Sequence, residues 1–397
     1  MLYFIFLIFL IYLIKSEDIL YSHTNEDDNL YFVSTTFRHG ARTTFSRYDY
    51  FGNYVVHRGM LTAYGAIQHL EIGLKYRERY SKFLNMSFDP NEIYIRSSDV
   101  ERTILSTYKE LQGLFNKSID RKYFHIIPGG SNFWNLYHLN NEEHKEMDNY
   151  LASCSKKRNL FDYKATFYSE IAPILRDCYG MTNPSHHGFC DSAIAAYFEY
   201  MYGNDTNNKI GKCGAENATK FHDVCFNRYN TYRGWNEYAA YMFYMFYQHL
   251  FEYMNNSING TSPLKMILIG GHDVTLDPFM NFLDGLHIIN RTHYPHYACN
   301  IVIELRKYNN DFYLEFYYND ILKYNDTLQA FKKILDNSKY SNLYNYCGLP
   351  PWKRSLNEKN TNEGDHADQP LEKIGARRHG GDGLGQLLAG FRIDAGG

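Results

Sequence analysis

Arginine and histidine recur at three places in the chain, each time just after a segment that the sequence predicts to be a strand. The guanidinium of arginine binds phosphate oxygens, a neutral histidine can attack phosphorus, and a carboxylic acid can protonate the departing alkoxide. The residues concerned are Arg38, His39, Arg42, Arg96, His272 and Asp273. Gly40 would let the backbone turn tightly and approach the anion. Together they predict a pocket for a tetrahedral dianion that needs no metal ion or other cofactor, because the arginines supply the positive charge.

The predicted strands explain why these residues should meet. Residues 30–37 are rich in β-branched and aromatic side chains and predict a strand that runs into the first cluster. Short strands over 92–95 and 265–269 end just before Arg96 and His272. In an open α/β sheet, ligands bind at the carboxyl ends of the strands, so the three junctions would converge on one site.

Two helices are predicted to follow the first two clusters. The first covers 61–80, with Thr62 as its N-cap. The second covers about 99–115, where Ser98 and Glu101 have the spacing of a capping box. The N-terminal amides of the second helix would add their dipoles to an anion site. Nearer the end of the chain, 300–317 alternates like the two strands of a hairpin.

Composition divides the 397-residue chain into segments. Fourteen uncharged, mostly apolar residues at the start are too short to span a bilayer and indicate a signal peptide. Four of the seven cysteines lie in polar, irregular stretches of the middle, and no tyrosine occurs after Cys347 although the chain has 38. We predict a signal peptide over 1–16, an α/β domain in two parts over 28–130 and 251–350, a helical inserted domain over 131–250, and a disordered tail over 351–397.

Charge and cysteine usage limit the partners and the compartment. Lys and Arg number 41 and Asp and Glu 44, so the net charge of −3 excludes a general nucleic-acid binder. No later segment is apolar enough for a stable membrane span in the mature chain. The leader, the absence of CxxC spacing and several N-x-Ser/Thr sequons predict an oxidising compartment, and hence a glycosylated protein that is secreted or lysosomal/vacuolar.

The motifs and their order resemble those of the histidine acid phosphatases, the second branch of the histidine phosphatase superfamily. Residues 38–42 are similar to the RHGxRxP signature of that family, and 61–80 to the helix that follows it. Residues 94–103 resemble its third-arginine segment, and 271–273 its distal His-Asp pair. The likeness extends over about 30–350 and is weak in the middle. Thr44 stands where the family has proline, which puts the stiffness of this loop in question but leaves every charged position intact.

The resemblance implies an α/β fold in which a mixed central sheet is flanked by helices, as in phosphoglycerate mutase, with a smaller, mainly helical inserted domain. It implies hydrolysis of phosphomonoesters at acid pH through a phosphohistidine on His39, with Asp273 as the acid for the leaving group. The residues that it implies as substrate clamps are Arg38, Arg42, Arg96 and His272. It also implies a disulfide between Cys154 and Cys347, and another between Cys299 and a cysteine of the middle region.

Other functions stay open at this point. An inositol-polyphosphate phosphatase (phytase-like) of the same superfamily would need more basic residues along its cleft. An enzymatically idle secreted binding protein could use the same scaffold, and a phosphoryl transferase or mutase would share the nucleophile. The expected substrate is a small-molecule or phosphoprotein phosphomonoester. The oligomeric state is undetermined, with a homodimer among the options.

Overall fold

A computed structural model describes residues 29–44, 57–127, 163–191, 193, 217, 220–221, 224–225, 235–290 and 294–338. They belong to the compact unit Met1–Pro351. The predicted signal peptide, the tail and the Cys154–Cys347 pair lie outside the described residues, so these stay predictions.

A seven-stranded mixed sheet forms the centre of the fold. Its strands are β1 (Leu30–Arg38), β2 (Ile93–Ser98), β3 (Phe124–Ile127), β4 (Met266–Gly271), β5 (Asn300–Tyr308), β6 (Asp311–Tyr318) and β7 (Ile321–Thr327). The order across the sheet is β3-β2-β4-β1-β5-β6-β7. The first four named in this order run parallel, and β5, β6 and β7 continue the sheet in antiparallel pairs. This confirms the predicted α/β class.

Helices cover both faces of the sheet. They are α1 (Ala63–Tyr80), α2 (Glu101–Phe115), α3 (Tyr163–Thr166), α4 (Ala172–Tyr179), α5 (Trp235–Asn259), α6 (Asp273–Gly285) and α7 (Leu328–Asn337), with a π-helical turn at Phe167–Ile171 and a 3₁₀ turn at Arg121–Tyr123. The helices α1 and α2 pack on one face, through residues such as Tyr76 and Leu111. The other face carries α5, α6 and α7, through residues such as Tyr247, Phe279 and Phe331. Among the described helices, none combines the length and apolarity that crossing a bilayer would require.

The register brings the predicted junctions to one edge. Arg38 at the end of β1 lies opposite Gly271 at the end of β4, and Ser97 of β2 lies opposite Gly270. Because these strands are parallel, their carboxyl ends form one continuous rim. The loops after β1 and β4 therefore leave the sheet side by side.

Several local predictions can be compared with the elements. Thr62 caps α1, since its Oγ1 accepts a hydrogen bond from the Gly65 amide at 3.0 Å. The hairpin prediction over 300–317 is confirmed by β5 and β6. The capping box of Ser98 and Glu101 is wrong, because α2 begins after Val100 and has no side-chain cap. The strands β3 and β7 and the helix α7 were not predicted.

The middle region is described only in part. The helix α5 runs through the predicted domain boundary at residue 250, and its Phe243, Leu250 and Met254 are buried in the core on the sheet. The described pieces around the Cys190–Cys225 disulfide form a separate small core. The division into domains therefore stays a prediction.

The predicted pairing of Cys299 is wrong. Cys190 pairs with Cys225, and Cys178 is also disulfide-bonded. Cys299 is a free, buried thiol in the sheet core, where its pKa is raised to about 12, mainly by burial. It lies just before β5 and hydrogen-bonds Tyr318. Because it is packed inside the core on the sheet, it does not pair with a cysteine of the middle region.

A buried charge network holds α1 to the antiparallel side of the sheet. The carboxylate of Glu304 is fully buried, 2.7 Å from the Arg79 guanidinium, and accepts a hydrogen bond from the Tyr80 hydroxyl at 2.7 Å. Arg306 donates from Nε to the same carboxylate at 2.8 Å. Burial alone would raise the pKa of Glu304, but the positive charges of Arg79 and Arg306 lower it below its ordinary value.

We expect Glu304→Gln to lower the free energy of unfolding by about 3–5 kcal/mol near neutral pH, because Arg79 loses a buried counter-charge and Arg306 keeps only that of Glu315, 3.2 Å away. The pKa of this carboxyl is depressed in the folded state. Its contribution is therefore fully present above the unfolded pKa of about 4.3 and is lost as the pH falls below it. Denaturant unfolding at several pH values measures this, with exposed Glu78→Gln as the control. A difference between wild type and Glu304→Gln that did not shrink at acid pH would contradict the assignment.

Candidate active site

Five of the six predicted site residues meet at the carboxyl rim of β1 and β4. Arg38 ends β1 and His39 follows it, while His272 and Asp273 follow β4 at the start of α6. Arg42 lies in the loop after β1. All are buried except Asp273, whose side chain is 20% exposed. This partial exposure places a carboxylate at the mouth of an otherwise buried cluster of positive groups.

The imidazole of His39 is held neutral with a defined tautomer. Its Nδ1 lies 2.8 Å from the Gly40 carbonyl oxygen, which can only accept, so Nδ1 carries the proton and Nε2 keeps its lone pair. The pKa of His39 is well below its ordinary value, first through burial and then through the charge of Arg102. Arg38 acts in the same direction. His39 is therefore an unprotonated nitrogen base even in acid solution.

The Asp273 carboxylate is paired with Arg38. A guanidinium nitrogen of Arg38 donates to Oδ2 at 2.9 Å, and the Val274 amide donates to Oδ1 at 2.8 Å. Burial alone would raise the pKa of Asp273, but the charges of Arg38 and Arg42 hold it well below its ordinary range. Asp273 is thus ionised in the unliganded site.

Arg38 is also fixed from other directions. It donates to the Pro295 carbonyl at 2.5 Å, and its guanidinium carbon lies 4.1 Å from the centre of the Tyr297 ring. The same ring lies 5.9 Å from the guanidinium carbon of Arg42. Aromatic faces attract guanidinium groups, so Tyr297 supports both arginines.

The third arginine of the cluster is Arg102, whereas Arg96, the residue predicted for this place, does not lie in the cluster. Arg102 donates to Nδ1 of His272 at 3.2 Å, and burial together with repulsion from Arg42 lowers the pKa of Arg102 to about 9. Arg96 lies two residues before the end of β2, where it hydrogen-bonds Tyr94 and lies near Tyr253 of α5.

The orientation of α2 explains the difference. Strand β2 continues past Arg96 to Ser98, so Arg96 stands within the sheet and not at its rim. On α2, the polar residues Arg102, Ser106 and Glu110 recur every four residues and are all buried. This spacing of polar residues was the sequence signal that could have indicated Arg102, because residues four apart share one face of a helix.

Both ring nitrogens of His272 form hydrogen bonds with protein groups. Since Nδ1 accepts from Arg102, Nε2 carries the proton and donates to the Ser98 Oγ at 2.7 Å. The pKa of His272 is lowered well below its ordinary value, first by burial and then by Arg102. Ser98 therefore orients the imidazole that supports Arg102, instead of capping α2 as predicted.

Side chains of α1 and α2 hold the loop that carries His39. The Gly40 amide donates to Ser106 Oγ at 3.1 Å, and the Ala41 amide donates to Gln68 at 2.9 Å. His69, fully buried, donates from Nε2 to the Arg38 carbonyl at 3.1 Å, and its Nδ1 lies 2.8 Å from Glu110. These hydrogen bonds from α1 and α2 fix the backbone on both sides of His39.

Gly40 lies too close to the first turn of α1 to carry a side chain. A Cβ added at Gly40 would lie 2.2 Å from the Gly65 carbonyl oxygen, and one added at Gly65 would lie 2.2 Å from the Ala41 carbonyl oxygen. Gly40 does not have a positive φ. The glycine therefore permits close contact between the loop and the first turn of α1, and the approach of its backbone to an anion stays a prediction.

Within the part of the chain that the structure describes, no cluster of three or more His, Cys, Asp and Glu side chains could hold a metal ion. The positive charge of the described site comes from Arg38, Arg42 and Arg102. The negative charge comes from two carboxylates. Asp273 lies 2.9 Å from Arg38, and Asp191 lies 2.8 Å from Arg42. The unliganded cluster can therefore accept an anion.

Comparison with known proteins agrees with this geometry. The family model of the histidine phosphatase superfamily (branch 2) matches residues 16–319. Bovine prostatic acid phosphatase is 24% identical over 322 residues, covering 74% of this chain and 78% of that protein. Human prostatic acid phosphatase is 38% identical over 113 residues, 27% of this chain and 26% of that protein. Human lysosomal acid phosphatase is 40% identical over 91 residues, 22% of each chain.

Solved structures share the fold at low sequence identity. A Klebsiella phytase superposes with a TM-score of 0.53 at 12% identity, covering 81% of this chain and 98% of that one. Hafnia alvei phytase with tartrate gives 0.53 at 13% identity, covering 81% and 99%. With the family model matching most of its length, the chain belongs to branch 2 of the histidine phosphatase superfamily.

Proposed function

We propose that this protein is an acid phosphatase of the secreted or lysosomal type that hydrolyses phosphomonoesters through a phosphohistidine on His39. The observation that carries the proposal is the state of His39, whose Nδ1 proton is bound to the Gly40 carbonyl while Nε2 keeps its lone pair. Burial and the three guanidinium groups around this neutral ring lower its pKa. A phosphoryl group is an anion that such a site would attract to a nucleophile.

The arginines account for binding. Arg38, Arg42 and Arg102 would donate to the phosphoryl oxygens, and His272 would hold Arg102 in place. Repulsion among these charges lowers the pKa of Arg102 in the unliganded protein. A bound dianion relieves this repulsion, and it does so more strongly as negative charge develops on the oxygens during transfer.

The first chemical step would form a bond between His39 Nε2 and phosphorus as the bond to the ester oxygen breaks. The departing alkoxide would take a proton from Asp273. In the second step a water molecule attacks phosphorus and gives a proton to the Asp273 carboxylate. The N–P electron pair returns to Nε2, inorganic phosphate leaves, and the site is restored.

The low pKa of Asp273 means that the proton for the leaving group must be brought to the site by the substrate. The unliganded carboxyl is ionised, so the proton must arrive with the substrate. A phosphomonoester loses its second proton near pH 6, so at acid pH it enters as the monoanion. Inside the site the arginines favour the dianion, whose charge raises the pKa of Asp273, and the proton can pass to the carboxyl. Activity would then fall above about pH 6, where the substrate monoanion disappears.

Two alternatives carry less support. The phytases share the fold, but at 12% and 13% identity they support only that likeness. The relatives with higher identity, 38% over 113 residues and 40% over 91 residues, bear the names prostatic and lysosomal acid phosphatase. An idle binding protein is disfavoured because the nucleophile, the acid and three arginines all stand in the described site. The names of these relatives also favour passage through the secretory pathway.

We expect His39→Ala to lower kcat/KM for an aryl phosphate at pH 5 by about a thousandfold or more, because the variant lacks the attacking nitrogen. Protein secreted from an oxidising host and assayed at pH 4–6 measures this. The control is His249→Ala, at a half-exposed histidine on α5. Equal activity in wild type and His39→Ala would sink the mechanism. A parallel assay with phytate separates the two phosphatase alternatives.

Replacing the two arginines by the same residue separates their roles. We expect Arg102→Met to lower kcat/KM by about 10²–10³-fold, as loss of one transition-state donor does elsewhere. We expect Arg96→Met to stay within about threefold of wild type, since it contacts no reacting group. Thermal unfolding of both variants reports any loss of folding. A larger kinetic effect at Arg96 than at Arg102 would reverse the assignment.

The acid role of Asp273 predicts a dependence on the leaving group. We expect Asp273→Asn to slow hydrolysis of an alkyl phosphate by about 10²–10⁴-fold. A nitrophenyl phosphate should lose much less, because its phenolate leaves without needing a proton. Single-turnover rates with both substrates measure the two effects. An equal loss for both would show that Asp273 acts by another route, such as holding Arg38.

A further inference from the structure

The carboxylate of Asp191 has no part in the chemistry above, yet it reaches the phosphate-binding arginines from another part of the chain. Its Oδ1 accepts a hydrogen bond from Arg42 at 2.8 Å, and its Oδ2 accepts one from the Thr44 hydroxyl at 2.7 Å. Its side chain is only 17% exposed. Each carboxylate oxygen thus has a named partner on the loop that carries His39.

The backbone of Asp191 is anchored independently of that loop. The preceding residue, Cys190, forms a disulfide with Cys225, and both are buried in a small core with Phe189 and Phe221. The carboxylate is therefore presented from a covalently braced segment. A hydrogen-bond acceptor with a fixed backbone limits the positions available to the guanidinium that it holds.

Arg42 itself is held on two further sides. One terminal nitrogen donates to the Thr43 carbonyl at 2.9 Å, and the ring of Tyr297 lies beside the guanidinium. Burial alone would lower the pKa of Arg42, but Tyr297 and Asp191 raise it above its ordinary value. A guanidinium has five N–H donors, and the bonds to the Thr43 carbonyl and to Asp191 use two of them.

Thr44 is the position where this chain departs from the signature that it otherwise resembles. Proline has no side-chain donor, so it could not make the bond to Asp191 that the threonine hydroxyl makes. Thr44 is buried, and its carbonyl accepts a hydrogen bond from the Gly59 amide at 3.1 Å. In place of proline, the hydrogen bond from Thr44 to Asp191 connects this loop to the segment that follows the disulfide-bonded Cys190.

We propose that Asp191 is a positioning residue, which fixes the Arg42 guanidinium for phosphate binding, and that Thr44 supplies through Asp191 the rigidity that proline supplies elsewhere. This inference rests on the proposed function, since it concerns the same phosphate site. The opposing model is that Asp191 competes with phosphate for Arg42. The two models predict opposite changes in phosphate affinity when the carboxylate is removed.

The test measures competitive inhibition by inorganic phosphate, together with kcat and KM for an aryl phosphate at pH 5. Positioning predicts that Asp191→Ala weakens phosphate binding by about tenfold and raises KM in parallel, as expected for one charged hydrogen bond. Asp191→Leu, which is similar in shape to aspartate but has no hydrogen-bond acceptor, is used if the alanine variant folds poorly. Asp177→Ala, at an exposed residue of α4, is the matched control. Unchanged or tighter phosphate binding in folded Asp191→Ala or Asp191→Leu would overturn the proposal.

The role of Thr44 is tested by a double-mutant cycle. Thr44→Val should weaken phosphate binding by about threefold to tenfold in the wild-type background and have no further effect once Asp191 is alanine. Additive effects would show that Thr44 acts independently of Asp191 and would overturn this part. The wild type and His39→Ala are assayed alongside. An inactive wild type would contradict the proposed phosphatase function. If the wild type is active, the Asp191 and Thr44 variants test the positioning role alone.

Discussion

Repulsion among three buried guanidinium groups is the constraint on which the rest of the site depends. Arg38, Arg42 and Arg102 meet where β1 and β4 end, and the pKa of Arg102 falls to about 9 through burial and the nearby charge of Arg42. Such a cluster is costly without a bound anion, so the fold must hold it by other means. Each arginine accordingly has its own partner: Asp273 for Arg38, Asp191 for Arg42, and His272 for Arg102.

The same charges give the nucleophile its properties. Because burial and these charges disfavour an imidazolium, His39 stays neutral at acid pH, and the Gly40 carbonyl determines which nitrogen keeps the proton. They also keep Asp273 ionised until an anion arrives. One electrostatic arrangement therefore sets the base form of the nucleophile and makes the acid form of Asp273 depend on bound substrate. The helices beneath the loop, through Ser106 and His69, keep this geometry while the site is empty.

Much of the site could be predicted because its main residues lie next to strand ends in the sequence. Arg38 ends β1, His39 directly follows it, and the His272–Asp273 pair directly follows β4. Parallel strands bring these carboxyl ends together. The choice between Arg96 and Arg102 depended on where β2 ends and how α2 is rotated, which strand propensity does not determine. The environment of Cys299 and the contact of Gly40 with Gly65 depend on long-range packing, which local patterns do not report. The bond from Asp191 to Arg42 joins residues 149 positions apart, so spacing alone could not indicate it.

The central claim is that the phosphoryl group passes through His39 and not directly to water. The stereochemical course at phosphorus tests this most directly, with an isotopically chiral phosphorothioate monoester hydrolysed in isotopically labelled water. Two successive displacements, first by His39 and then by water, predict net retention of configuration. Net inversion would show a single direct attack by water and would contradict the account.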